Sequence, residues 1–207
     1  PGWTRNSNHA TSFALFGSLF EPTQEESLNH RILVRIYIKN HPNQVVTDLD
    51  YKIEKIAKKL INSKFPDHNI IGEEFGKNDK NSDFTWIIDP IDGTKAFISG
   101  IPVFTFLLSL KYKNDFLFGL VDQPILNERF WNDNKKAYLN NKEIKVRKFI
   151  SLSDSIVAIT DPIMFKNYNA LNKKLFKKFN FIRWGTDALG YMRCAEGITN
   201  AVMETVI

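Results

Sequence analysis

The chain has 207 residues, 43 % hydrophobic and 25 % charged, a globular balance that allows a substantial core in one domain or two small lobes. A single cysteine, Cys194, excludes an intrachain disulfide and fits a reducing compartment, and no segment is long enough to cross a bilayer. The net charge of +5 would suit an anionic ligand, nucleic acid or an acidic surface, but the lysines alternate with aspartates and glutamates, so a solvated surface is the simpler reading.

Residues 1–30 show no clear periodicity, and "FALFGSLF" (13–20) lacks the basic approach of a signal peptide. "RILVRIYIKN" (31–40) reads as a strand or a helix end, and "HPNQ" as a loop. Thr47 caps a helix predicted from about Asp48 to Asn62, with Leu49, Ile53, Ile56, Ala57, Leu60 and Ile61 as its apolar stripe. "IIGEEFG" and "FTWIID" are short apolar runs that stop in acids, read as buried strands. "VFTFLLSLKY" (103–112) and "DFLFGLVDQP" (115–124) flank a tight Lys113–Asn114 turn, as in a hairpin. "ERFWND" and "KKAYLN" continue the strand-rich run to a turn at 140–142.

The pattern changes near 146–154. "SIVAIT" and "FIRW" read as strands on either side of one amphipathic helix, "DPIMFKNYNALNKKLFKKF", opened by Asp-Pro. "TDALGYMRCAEG" is a helix closed by Gly197, and "NAVMETV" a last strand. This divides the chain into an α+β lobe (1–150) with a mostly antiparallel sheet and the start of an α/β lobe (151–207). The chain opens on Pro1, not methionine, and stops inside "NAVMETVI", so it is read as a fragment with its C-terminal part missing.

Asp89 and Asp92 stand three residues apart where an apolar strand ends, in "DPIDGT". Asp-Pro and Asp-Gly are ordinary turn pairs. Yet two carboxylates in a partly desolvated place repel one another unless a cation neutralises them. Hard oxygen donors with no histidine or cysteine nearby point to magnesium or manganese rather than zinc. Glu73, in "GEE" at the end of another apolar run, offers a third ligand. Asp50, in the first turn of the helix after Thr47, has helix-dipole complementation as its simpler role. The pattern suggests phosphoester hydrolysis with two cations about 3.5–4 Å apart. Glu73 and Thr94 would orient a water, and the N–H groups of Gly93 and Thr94 would meet the phosphoryl oxygens.

"GEE", "WIIDPIDGT" and "WGTDALGYMRCAEGITNAVME" resemble the inositol monophosphatase superfamily of magnesium-dependent phosphatases, from about residue 35 onward. Within it, "TKAFISGIPVF", "GLVDQPILNERFW" and "RWGTDALGYMRCAEG" are most similar to the histidinol-phosphatase branch. The resemblance implies a layered α+β and α/β sugar-phosphatase fold of alternating α and β layers. It implies a cytoplasmic enzyme that takes two or three Mg2+ ions, with Mn2+ as a substitute, and a small phosphorylated metabolite. Relatives are often dimers, so a homodimer is expected. By the same resemblance Glu73, Asp89, Asp92 and the carbonyl of Ile91 are metal ligands. Thr94 activates the water, and Asp50 supports a third, weaker metal. Arg183, Thr186, Asp187 and Glu204 contact the alcohol half of the substrate, with Glu204 facing the amine of histidinol. A local salt bridge is the alternative role for Arg183 and Asp187. The family's further metal-binding aspartate would fall a short way beyond Ile207, so the expectation for this chain is a weak second metal and low activity. The long opening helix of the family is also not evident in residues 1–30.

Two other readings compete. Inositol 1-phosphate or another sugar or nucleotide phosphate could use the same metals. A basic nucleic-acid-binding module would need aromatics interleaved with lysines on an exposed face. Here the aromatics sit within apolar strands, and "KNYNALNKKLFKKF" fits a helix packed on a sheet, so neither nucleic acid nor membrane is expected as a partner.

Overall fold

The computed structural model describes residues 36–38, 45–133, 135–174 and 176–205. The readings of residues 1–30, of the flanks of 31–40 and of "HPNQ" lie outside them. Strand β1 (Ile36–Ile38) pairs antiparallel with β2 (Val45–Thr47). Thr47, extended at φ −118°, then caps helix α1 (Asp48–Lys64) through a reciprocal box. Its hydroxyl accepts from Leu49 N, and Asp50 accepts from Thr47 N at 2.8 Å. Such a cap contributes about 1 kcal/mol.

The buried face of α1 is Asp50, Glu54, Ala57 and Ile61, so of the expected apolar stripe only Ala57 and Ile61 are fully buried and two acids complete the face. Ile56, expected to be buried, is 43 % exposed. Two acids can turn inward because each has partners in place of water: Thr47 for Asp50, and Lys58 with two backbone amides for Glu54.

The main sheet of the described residues has eight strands. In chain order they are β3 (Asn69–Gly72), β4 (Gly76–Asn78), β5 (Phe84–Asp92), β6 (Thr105–Tyr112), β7 (Asp115–Gln123), β8 (Glu128–Asn132), β9 (Ala137–Leu139) and β10 (Lys142–Ile144). Their spatial order is β10-β9-β8-β7-β6-β5-β3-β4. Every pairing is antiparallel except β3 with β5, where Gly72 stands opposite Ile88. Val46, Ala57, Ile61, Ile70, Ile88, Phe106, Leu108, Leu120 and Phe130 are buried around this sheet. Lys113, at φ 51°, makes the expected tight β6–β7 turn.

The turn expected at Asp89–Thr94 is displaced. β5 runs on through Pro90 to Asp92, with a register shift against β6 between Asp89 and Asp92. Proline has no N–H for the ladder, and such an irregularity accommodates it. The chain reverses only at Gly93, at φ 79°, which leads into the short helix α2 (Thr94–Ile98).

The last part of the described chain has a parallel three-stranded sheet. β11 (Ile156–Ile159) lies between β12 (Phe181–Trp184) and β13 (Ala201–Val202). The single helix expected between β11 and β12 is instead a 3-10 turn (Pro162–Met164), helix α3 (Tyr168–Lys174) and a second 3-10 turn (Phe176–Lys178). Phe165 and Phe176 are both buried against Val157 and Ile159, with Tyr168, Leu171 and Phe179 packed beside them. Their spacing alone would fit one helical face, but asparagines at 167, 169 and 172 do little to hold one long helix together. Helix α4 (Asp187–Ala195) ends near Gly197, at φ 85°, as expected, but β13 is two residues long rather than seven. All of this belongs to one compact unit, Val34–Ile207. No helix of the described residues is long and apolar enough to cross a membrane.

Candidate active site

β3 and β5 are parallel neighbours, so their C-terminal ends open on the same edge of the sheet. Glu73 follows β3 and donates its N–H to Ile88 O at 3.2 Å, which sets it beside Asp89. The Asp89 carboxyl is hydrogen-bonded to the side chain of Glu73. Burial first, then the charges of Glu73 and Asp92 and this hydrogen bond, push Asp89 up to about 9. Asp50 lies close enough to add its own charge, and burial raises it too, against the opposing hydrogen bonds from Thr47.

Asp92 faces the other way. Its Oδ2 accepts from Ala188 N at 2.7 Å and from Thr105 Oγ1 at 3.4 Å. Burial pushes Asp92 up to about 6, the amide of Ala188 opposes that shift, and Asp187 and Glu204 add to it. Thr94 donates from Oγ1 to Ile91 O at 2.9 Å, which ties the start of α2 to the end of β5. A Cβ on Gly93 would come within 3.1 Å of Asp187 Oδ2, so the turn needs glycine both for its backbone angle and for the approach of α4.

At the far side, Glu204 accepts from Thr160 Oγ1 and, at 3.2 Å, from Tyr191 OH. Burial raises the Tyr191 phenol and Glu204 raises it further, so it stays a donor. Asp187 is raised by burial and by Glu204, with Lys95 opposing. Asp89, Asp92, Thr160, Asp187, Tyr191 and Glu204 all line one cavity of about 660 Å³. Arg183 is exposed on β12 and does not line it. Thr186 precedes α4 with its hydroxyl buried and no hydrogen-bond partner for Oγ1.

The acids are grouped in two sets: Asp50, Glu73 and Asp89, then Asp92, Asp187 and Glu204. Among the described residues no three His, Cys, Asp or Glu side chains gather tightly enough to hold an ion by themselves. A hard cation here would need backbone carbonyls and water as well, which is how magnesium is usually bound. Asp89 fits that role, since its Oδ1 is buried without a hydrogen-bond partner and its neighbours are negative.

Four contributors escaped the sequence reading. Glu54 sits among lysines on α1 and was not singled out. Tyr191 and Thr160 were read only as helix and strand residues. Ala188 contributes a backbone N–H, which no side-chain pattern reveals. The isolated glycine of "GEE" was the one available hint for Glu54, since glycine within a strand often marks a close approach.

Comparison with known proteins gives a consistent result. A bifunctional phosphatase, IMPL2, from Arabidopsis thaliana chloroplasts is 35 % identical over 77 % of this chain and 47 % of its own length. A histidinol-phosphatase from Chlorobaculum parvum is 28 % identical over 78 % of this chain and 64 % of its own. A Nus factor SuhB from Pasteurella multocida is 30 % identical over 78 % and 63 %. The chain thus spans about half to two-thirds of the length of these curated relatives. An IMPase structure from Thermotoga maritima superposes with a TM-score of 0.73 at 28 % identity, over 80 % of this chain and 64 % of that one. An IMPase/NADP phosphatase solved with Mg2+ and phosphate shares the fold, with a TM-score of 0.76 at 19 % identity over 92 % and 70 %. The inositol monophosphatase family pattern matches residues 14–206. The members of that family are phosphoric monoester hydrolases, and this chain belongs to the inositol monophosphatase family.

Proposed function

We propose that the protein is a magnesium-dependent phosphomonoester hydrolase and that its substrate is a small phosphorylated metabolite with a cationic alcohol half, L-histidinol phosphate. The observation that carries this reading is one cavity lined by Asp89 and by a second acidic group, Asp92, Asp187 and Glu204. An ammonium or imidazolium gains from that second group, whereas an inositol ring brings no charge to it.

In this reading Glu73, Asp89, Asp92 and the Ile91 carbonyl hold two or three magnesium ions, with Asp50 behind them. Bound magnesium supplies charge against the phosphoryl oxygens and lowers the pKa of water. The chain's residues do the rest. Thr94, fixed by its bond to Ile91 O, keeps lone pairs free to accept from the attacking water. Glu73, exposed at the rim, takes up the proton of that water. Gly93 and Thr94 open α2, so their N–H groups have no acceptor inside the helix and can donate to phosphoryl oxygens. Thr160 and Tyr191 both donate to Glu204 and fix its carboxylate for a positively charged leaving group. Thr186 is kept as a contact to the alcohol half through its unpartnered hydroxyl, and Arg183, exposed outside the cavity, is not.

The test is a side-by-side measurement of kcat/KM with Mg2+ on L-histidinol phosphate, inositol 1-phosphate and fructose 1,6-bisphosphate. A preference of about tenfold or more for histidinol phosphate is expected, the worth of one partly screened ion pair. Faster turnover of inositol 1-phosphate would assign the protein to the alternative substrate.

A further inference from the structure

We infer that Glu54, on the buried face of α1, is a positioning residue that sets the direction of Glu73. This rests on the metal-site reading above, and it concerns a residue outside the ligand set. Glu54 is fully buried, at 0 % exposure. Its two oxygens are divided between two amides: Oε2 accepts from Glu74 N at 2.7 Å and Oε1 from Phe75 N at 3.1 Å.

The geometry around Glu73 follows. Its preceding peptide is held by the bond from Glu73 N to Ile88 O. Its following peptide is the one whose N–H, at Glu74, is held by Glu54. With both flanking peptide planes fixed, the Cα–Cβ direction of Glu73 is fixed as well, toward Asp89. Glu54 touches neither Asp89 nor the cavity and acts through the backbone.

Three further features belong to this device. Lys58 Nζ stands 2.8 Å from Glu54 Oε1, so the buried charge is paired. The same ammonium donates to Gly76 O at 3.2 Å and lies 5.3 Å from the Phe75 ring centre, gripping the far side of the turn. Gly72 leaves the space: a Cβ there would lie 1.8 Å from Glu54 Oε1. Glutamate and glycine are thus matched across α1 and β3.

Only a carboxylate serves both amides. In Glu54→Gln one side-chain NH2 would confront a backbone N–H, so one amide loses its acceptor and the turn carrying Glu73 shifts. Glu54→Asp keeps the charge but is one methylene short of the pair.

The experiment compares the full wild-type chain with Glu54→Gln, Glu54→Asp and the control Ile61→Val, on the same buried face of α1. Mg2+ affinity is read by calorimetry, kcat and KM by phosphate release, and melting temperature in EDTA. Both Glu54 variants are expected to lose about 10- to 100-fold in Mg2+ affinity and in kcat, with KM within about twofold, as removal of an outer-shell support typically does. Ile61→Val is expected to melt lower with affinity and kcat intact. Where Glu54→Gln does not fold, Glu54→Asp carries the comparison. A Glu54 variant that melts lower but binds Mg2+ and turns over like wild type makes Glu54 purely structural and overturns the inference. If wild type itself neither binds Mg2+ nor releases phosphate, the site reading fails first, and this inference with it.

Discussion

At the C-terminal ends of β3 and β5, Glu73 and Asp89 extend from two hydrogen-bonded strands inside the main sheet, and backbone bonds hold the peptides on both sides of Glu73. In the second acidic group, Asp187 sits in the left-handed region at φ 44°, and Glu204 follows a strand of only two residues. Glu204 is held by the side chains of Thr160 and Tyr191 instead. The first group is fixed by the fold and the second by replaceable side chains. That difference separates the chemistry, which needs donors placed to a fraction of an ångström, from recognition of the alcohol, which can be altered one residue at a time. Relatives named for histidinol phosphate, fructose bisphosphate and inositol phosphate within one family fit such a division.

The largest effect is expected in the fixed group. Asp89→Asn removes the buried carboxylate that best fits a cation, and phosphate release should fall on the order of a thousandfold or more. In EDTA the same variant should melt close to wild type, since the carboxyl, pushed up to about 9, is already uncharged at neutral pH and the amide NH2 can donate to Glu73 in its place. A large loss of stability with activity retained would mean that Asp89 is structural.

Next comes Gly72→Ala. Glu54 is pinned by two amides and Lys58, so it cannot swing away from the added methyl. Overpacking of this kind costs about 2–3 kcal/mol, roughly 4–12 °C in melting temperature for a chain of this size. An unchanged melting curve would show that the α1–β3 fit is loose.

In the recognition group a smaller and selective effect is expected. Glu204→Gln should lower kcat/KM for histidinol phosphate about tenfold while leaving inositol 1-phosphate within about twofold. Equal losses on both substrates would place Glu204 in the common chemistry and erase the distinction between the two groups.

The smallest effect lies at the opposite ends of β3 and β5. His68 Nδ1 accepts from Trp86 Nε1 at 3.1 Å, and the ring stacks between Phe65 and Phe84. Burial lowers its pKa from 6.5, Asp67 opposes this and Lys80 adds to it. A lowered folded value means that the unfolded chain binds the proton more readily. The stabilisation is therefore present above 6.5 and is lost as pH falls through the lower folded value. The raised Asp89 and Asp92 act in the opposite sense over this range, so the His68 contribution is read as a difference: the melting temperature of His68→Asn relative to wild type should rise as pH falls from neutral to about 5. A difference between the two proteins that does not change with pH would contradict this role for His68.

The legibility of the sequence follows the same division. Glu73, Asp89, Asp92 and Thr94 stand in short contiguous boxes at the ends of apolar runs, and a strand end is a local property of the chain. The hairpin at Lys113–Asn114 and the capped helix at Asp48 were readable for the same reason. Asp187 and Glu204 came from the resemblance alone, because the structure that brings them to Asp92 is non-local. Glu54 was not singled out because its burial depends on Gly72, eighteen residues away. The segment from Asp161 to Phe179 was read as one helix because Phe165, Tyr168, Phe176 and Phe179 keep helical spacing, and that spacing does not contain the breaks on either side of Tyr168–Lys174. The bulge at Asp89–Asp92 likewise answers to pairing with β6, which a turn pattern in "DPIDGT" does not contain.

The central claim is that acids at the ends of β3 and β5 hold the cations on which hydrolysis depends. The most direct test is phosphate release from L-histidinol phosphate after stripping with EDTA, followed by back-titration with Mg2+, in wild type and Asp89→Asn. The expected result is activity abolished by EDTA and restored by Mg2+ in wild type, with no restoration in the variant. Hydrolysis that persists in EDTA, or that Mg2+ restores equally in Asp89→Asn, would contradict it.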